Sequence, residues 1–112
     1  IKNVPQKMLT RKDFVEKTIQ QINKDFPPIL EPIPKNTPAE HVFDHLSVRL
    51  EFLLKECKEK VPQYIYQVDL PESKVNKLFE TNFNKIIIKL TELILEREAQ
   101  KVYLKLKWSD AS

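Results

Sequence analysis

His41 and His45 are the residues whose types and spacing come nearest to a metal site. Residues four apart on a helix share one face, and zinc ligands are often paired in this way. A metalloprotease helix would carry glutamate directly after the first histidine, but Val42 stands there. The sequence has no other histidine, and its one cysteine, Cys57, lies three helical turns further on. We therefore predict no metal site and no cofactor.

Catalytic chemistry has little support in the sequence. Cys57 falls on the apolar stripe of a predicted helix, where a thiol is buried, protonated and unreactive. The chain has no glycine, which phosphate-cradling loops and nucleophile elbows require. Several glutamates alternate with lysines, which is typical of a solvated helix face. These are Glu51, Glu56, Glu59, Glu92, Glu96 and Glu98. We predict that the chain is not an enzyme and has no small-molecule substrate.

A basic column near the carboxyl end supports a different function. Arg97, Lys101 and Lys105 are spaced by four, so on a helix they form one column. Tyr103 and Trp108 lie nearby, and cations beside aromatic rings suit phosphates and stacked bases. The net charge of +3 is small for a dedicated nucleic-acid-binding domain. A basic helical module that binds nucleic acid is therefore the alternative function.

A surplus of apolar residues favours a protein partner. Val48 and Phe52 lie off the main stripe of their predicted helix, and three consecutive isoleucines, 86–88, cover more than half the circumference of another. Apolar residues on several sides of a helix indicate burial on several sides, and an exposed apolar patch marks an interaction site. We predict a protein–protein interaction or scaffold module in a larger assembly, binding a partner protein or a second copy. The candidate contacts are Val48, Phe52, Ile88, Leu95, Tyr103 and Trp108.

Helical periodicity predicts the elements that position these residues. A first helix follows an N-cap at Thr10 and ends at Pro27-Pro28. A second starts with a Thr37–Glu40 capping box, carries an apolar stripe from Val42 to Val61 and ends at Pro62. A last helix runs from Pro71, after a second capping box at Asp69–Glu72, to about Lys107, either unbroken or broken near Thr81-Asn82.

Other segments are less regular. Residues 1–9 are expected to form a basic arm, and residues 27–37 a proline-rich connector that packs against the core. Residues 64–68 and 102–108 fit either a strand or a helix, and for the second segment the helix is favoured. Without glycine, helix ends that need a left-handed residue are expected to use Asn23, Asn36 or Asn82.

Taken together, these features predict an all-α fold, a three- to four-helix bundle with a long C-terminal helix. We expect one domain over residues 1–112, and the start at Ile1 rather than methionine indicates a fragment of a longer protein. A lone cysteine, no signal peptide and no long apolar run favour an intracellular location, cytoplasmic or nuclear, without membrane association. No motif identifies a family.

Overall fold

The computed structural model describes residues 4–111, with side chains described through Trp108. Within that range the chain is helical without strands, which confirms the predicted all-α bundle. Its five α-helices are α1 (Lys12–Asp25), α2 (Ala39–Glu56), α3 (Val61–Val68), α4 (Glu72–Leu78) and α5 (Phe83–Ala111). These are five helices instead of the predicted three or four, because α3 and α4 are separate short helices. Segments 64–68 and 102–108 are both helical.

The long C-terminal helix α5 is the axis of the molecule. Its 29 residues correspond to about 43 Å at 1.5 Å per residue, which matches the 41 Å longest dimension of the protein. Helices α1, α2, α3 and α4 all contact it. It begins after a break at Thr81-Asn82, which is one of the two alternatives that the sequence left open, and Asn82 Oδ1 accepts the Lys85 N–H at 2.9 Å to cap its first turn.

Two apolar clusters form the core of the part of the chain that the structure describes. The main cluster joins all five helices with the connector, and its best-buried members are at most 1% exposed. These include Ile22, Ile33, Leu46, Leu53, Leu90 and Ile94. The second cluster lies where the amino-terminal segment meets α1 and α5, and its buried members are Val4, Phe14, Ala99 and Val102. The described part of the predicted basic arm is therefore anchored, with a short 3₁₀ turn at Gln6–Met8.

The predicted threonine caps are wrong. The Thr10 hydroxyl donates to the Lys7 carbonyl at 3.4 Å, and the Thr37 hydroxyl donates to the Pro34 carbonyl at 2.7 Å. Threonine hydroxyls close such local turns in competition with capping. Arg11, Pro38 and Pro71 stand at the N-caps of α1, α2 and α4 without a side-chain hydrogen bond, so neither capping box forms.

The second helix ends earlier than predicted. Helix α2 stops at Glu56, Cys57 leaves helical geometry, and a 3₁₀ turn at Lys58–Lys60 leads into α3. Pro62 lies in the first turn of α3, where a missing N–H costs nothing, so it begins a helix instead of ending one. The stripe runs through the break because α2 and α3 bury their residues in the same core.

The left-handed helix end is also in a different place. Asp69, with φ of 70°, closes α3, and it has the only positive φ among the described residues. Aspartate tolerates this region because its short polar side chain forms local hydrogen bonds. Asn23 instead fixes the proline-rich connector, since its side chain bonds both the N–H and the carbonyl of Ile33, at 2.7 and 3.0 Å.

Candidate interaction surfaces and a buried polar cluster

Four of the six predicted partner contacts are exposed. Val48 is 64% exposed, Phe52 43%, Ile88 49% and Trp108 71%. Leu95 and Tyr103 are partly buried, and they pack against the main and the second core cluster respectively. These two residues therefore contribute mainly to the fold of the chain itself.

The outer face of α2, defined here by Val48 and Phe52, is one exposed apolar surface. The two residues are one helical turn apart, opposite the buried residues Leu46, Leu50 and Leu53. The connector borders this face, because Arg49 donates to the carbonyls of Glu31 and Pro32, at 2.6 and 3.1 Å. The face is therefore held on both sides, by the core beneath and by the connector beside it.

The other exposed contacts lie along α5 and do not form one patch. Ile88 and Trp108 are separated by about 30 Å at 1.5 Å per residue. Trp108 shares its end of the helix with Leu104, which is 42% exposed. The amino-terminal end of α5 lies beside the carboxyl end of α2, where Lys55 Nζ is 5.7 Å from the centre of the Phe83 ring. The α2 outer face and Trp108 are thus separate surfaces.

An apolar cavity lies between α1, the first turn of α2, and α5. It has a volume of about 150 Å³. Its lining residues are Leu9, Phe14, Val15, Thr18, Ile19, Ala39, Val42, Leu95 and Ala99. Leu95 thus lines a cavity that also borders the second core cluster.

The three predicted phosphate-binding residues form a column on α5, but each has an intramolecular partner. Arg97 pairs with Asp69 at 2.8 Å, and Lys105 donates to the Gln21 side-chain carbonyl at 2.6 Å. Lys101 is only 17% exposed and donates to Asp25 Oδ2 at 2.9 Å. The column therefore connects α5 to neighbouring elements of the fold.

Lys101 belongs to a buried polar cluster that the sequence interpretation missed. Glu98 is fully buried, Asp25 is 5% exposed and Tyr64 is 2% exposed. Lys101 Nζ lies 3.2 Å from Glu98 Oε1, and Gln21 Nε2 donates to Asp25 Oδ2 at 3.1 Å. The assignment of Glu98 to a solvated face is wrong. The available signal was its register, since it follows Ile94 by four residues and precedes Val102 by four.

The two carboxyl groups of this cluster have pKa values shifted in opposite directions. Burial raises the pKa of Glu98 to about 8, the hydrogen bond and negative charge of Asp25 act in the same direction, and Lys101 opposes them. Burial also acts to raise the pKa of Asp25, but hydrogen bonds from Lys101, Glu98 and Gln21 outweigh it and hold that pKa below its usual value. At neutral pH the cluster therefore holds a protonated Glu98 and an ionised Asp25, with Lys101 beside both.

Tyr64 completes the cluster from α3. Its hydroxyl has no hydrogen-bond partner within the described part of the chain. Burial, followed by the charges of Glu98 and Asp25, raises its pKa well above the usual value, so it stays neutral. The Tyr64 ring packs against Phe26, with ring centres 5.8 Å apart, at the end of α1.

The residues weighed for metal binding and nucleophilic chemistry all belong to α2, with His41 and His45 one turn apart and Cys57 at its C-cap. His41 is exposed, His45 is partly buried with Nδ1 3.4 Å from Arg49 Nη1, and Cys57 is buried. Among residues 4–111, no group of three or more histidine, cysteine, aspartate or glutamate side chains is placed to hold a metal ion. In the same range no helix combines the length and the apolar character needed to cross a membrane.

Comparison with known proteins adds no family. No family model, no curated protein and no solved structure matches this chain. Its function is therefore inferred from its own surfaces and side chains.

Proposed function

We propose that this chain is a protein–protein interaction or scaffold module within a larger intracellular assembly, and that the outer face of α2 is a docking surface. The observation that carries the proposal is the exposure of Val48 and Phe52, one turn apart on a helix whose opposite face fills the core. Apolar surface that a small domain leaves in water is a common mark of binding sites.

The α2 outer face is held in place by the core beneath it, which suits a binding surface. Beneath it, Leu46, Leu50 and Leu53 are at most 1% exposed, so α2 is fixed before any partner arrives. Lys55 and Glu51, paired at 2.9 Å, supply a polar margin. An apolar centre with a polar rim is the usual anatomy of a protein interface, and a surface that is already ordered loses less entropy on binding.

The alternative, binding of nucleic acid by Arg97, Lys101 and Lys105, has weaker support. To reach phosphates, these side chains would have to leave Asp69, Asp25 and Gln21 respectively. A phosphate-binding protein loses affinity steeply as salt rises, so titrations at two salt concentrations distinguish this alternative from apolar docking.

Self-association is the first form of the proposal to test. Light scattering over a tenfold concentration range is expected to show species heavier than the 13.3 kDa monomer. The double variant V48S/F52S should return the chain to a monomer with its helical circular dichroism unchanged. The control Tyr66→Ser removes another exposed ring, on α3, and should leave association intact. If V48S/F52S associates as the wild type does, the α2 outer face is not the docking surface.

A wild-type chain that stays monomeric throughout would contradict self-association. The proposal would then require a different protein as the partner. In that case the same pair of variants is measured against candidate partners by calorimetry, with loss of binding expected for V48S/F52S and not for Y66S.

A further inference from the structure

The buried polar cluster contains more negative groups than positive ones. Asp25 from α1 and Glu98 from α5 are both carboxyl groups, and Lys101 is the cation between them. Burying an ionised carboxyl without a partner is costly, because the protein interior cannot replace its hydration. One cation cannot balance two buried carboxylates, so the composition of the cluster favours a bound proton.

Among the residues whose side chains the structure describes, Lys101 is the only cation paired with Glu98. From α1, Asp25 and Gln21 face the cluster, and from α3, the Tyr64 hydroxyl and the Gln67 carbonyl. Lys101 Nζ already donates to Asp25 and, at 3.1 Å, to the Gln67 carbonyl. On α5, Arg97 pairs with Asp69 and Lys105 bonds Gln21.

The hydrogen bonding also favours a proton on Glu98. Neither of its buried carboxyl oxygens has a hydrogen-bond donor in suitable geometry within the described residues, although Lys101 is at ion-pair distance. The contact between Glu98 and Asp25 becomes a hydrogen bond only when one carboxyl group carries a proton. Asp25 accepts hydrogen bonds from both Lys101 and Gln21, whereas Glu98 has only the longer Lys101 contact at 3.2 Å, so we assign the proton to Glu98 and the charge to Asp25.

We propose that Asp25 and Glu98 share one proton, that this proton holds α1 against α3 and α5, and that its loss makes the junction a pH-sensitive switch. When Glu98 ionises, a second buried negative charge faces Asp25, and separation of α1 from α5 relieves it. Helix α1 also carries Ile19 and Ile22 of the main core. The proposal rests on the cluster and is independent of the α2 outer face.

The direction of the pH dependence follows from the proton balance. The folded chain keeps the Glu98 proton up to about pH 8, while the unfolded chain releases it near the ordinary value of 4.5. Between these values the folded state binds more protons, so stability is highest near pH 4.5, falls as pH rises and levels off above about pH 8.

The other two titrating groups of the cluster fall outside this window. Asp25, with its lowered pKa, contributes stability that is lost only as pH falls below 3.8. Tyr64, with its raised pKa, contributes stability that is lost only above pH 10.

Urea unfolding of the wild type and Glu98→Gln at pH 5, 6, 7, 8 and 9 tests the switch. Glutamine keeps a neutral donor for Asp25 but cannot ionise. The wild-type midpoint should fall between pH 5 and 8, and the E98Q midpoint should stay flat and match the wild type near pH 5. The control Glu92→Gln, at an exposed position on the same helix, should keep the wild-type slope. Tyr64→Phe should keep it too, because tyrosine does not titrate in this range.

Two results would overturn the proposal. One is a wild-type midpoint that does not change between pH 5 and 8, and the other is an E98Q chain with the wild-type slope. If E98Q does not fold, a carbon-13 NMR titration of the Glu98 carboxyl in the wild type decides. A midpoint near 8 supports the shared proton, and a midpoint near 4.5 contradicts it.

Discussion

The interfaces that α5 forms with α2 and with α1 are built differently. Against α2, the contact is apolar, with residues such as Leu46, Leu53 and Ile94 at most 1% exposed. Against α1, apolar packing surrounds a buried carboxyl pair and Lys101. Apolar burial is insensitive to pH and tolerant of repacking, whereas a buried ionic cluster depends on every member. The two sides of one helix should therefore respond differently to mutation and to pH.

The largest expected effect comes from removing the cation of the α1–α5 interface. Lys101→Met keeps the length of the side chain and leaves Asp25 buried without its ion-pair partner. Loss of one member of a buried pair typically costs about 3–5 kcal/mol, and the loss should be greater at pH 8 than at pH 5. Urea unfolding at both pH values measures it.

The control for this variant is an exposed ion pair on the same helix. Lys89→Met breaks the pair with Glu92, in which both side chains are 51% exposed, and should cost less than about 1 kcal/mol. Equal effects at Lys89 and Lys101 would contradict a buried cluster at the α1–α5 interface.

The next effect comes from the α2–α5 interface. Leu53→Ala removes a fully buried side chain and should cost about 3 kcal/mol through lost burial and the cavity left behind. Because the core that surrounds Leu53 is made of apolar side chains, the cost should be the same at pH 5 and pH 8. A cost that changes with pH would show that the two interfaces are coupled.

The smallest effect on stability is expected at the α2 outer face. V48S/F52S alters side chains that are 64% and 43% exposed, so the free energy of unfolding should change by less than about 1 kcal/mol. Thermal unfolding below the concentration at which the chain associates measures it. A large loss would mean that these side chains stabilise the monomer, which would weaken the proposed docking role.

The sequence predicted the α2–α5 side better than the α1–α5 side. The stripe on α2 and the break at Thr81-Asn82 are local patterns, and both occur in the structure. The Asp25–Lys101 ion pair joins residues 76 positions apart, and no local pattern indicates such a contact. Glu98 lies in a segment whose charged composition is typical of a solvated helix face, but its spacing from Ile94 and Val102 places it on the buried face. Only the tertiary structure shows that it is buried.

The same helix explains part of the apolar surplus. Leu95 and Tyr103 looked like candidate partner contacts because the apolar face of α5 rotates along its length. In the structure this rotation lets α5 pack first against α2 and then against α1 and the amino-terminal segment. Packing within the chain therefore explains why Leu95 and Tyr103 are apolar. Val48 and Phe52 are exposed, so they remain the predicted docking residues.

Hydrogen exchange of individual backbone amides at pH 6 and pH 8 tests the contrast between the two interfaces most directly. After correction for the intrinsic dependence of exchange on pH, we expect a larger loss of protection in α1, at residues such as Ile19 and Ile22, than in α2, at Leu50 and Leu53. Equal losses in the two helices, or a larger loss in α2, would contradict a proton-linked junction at α1.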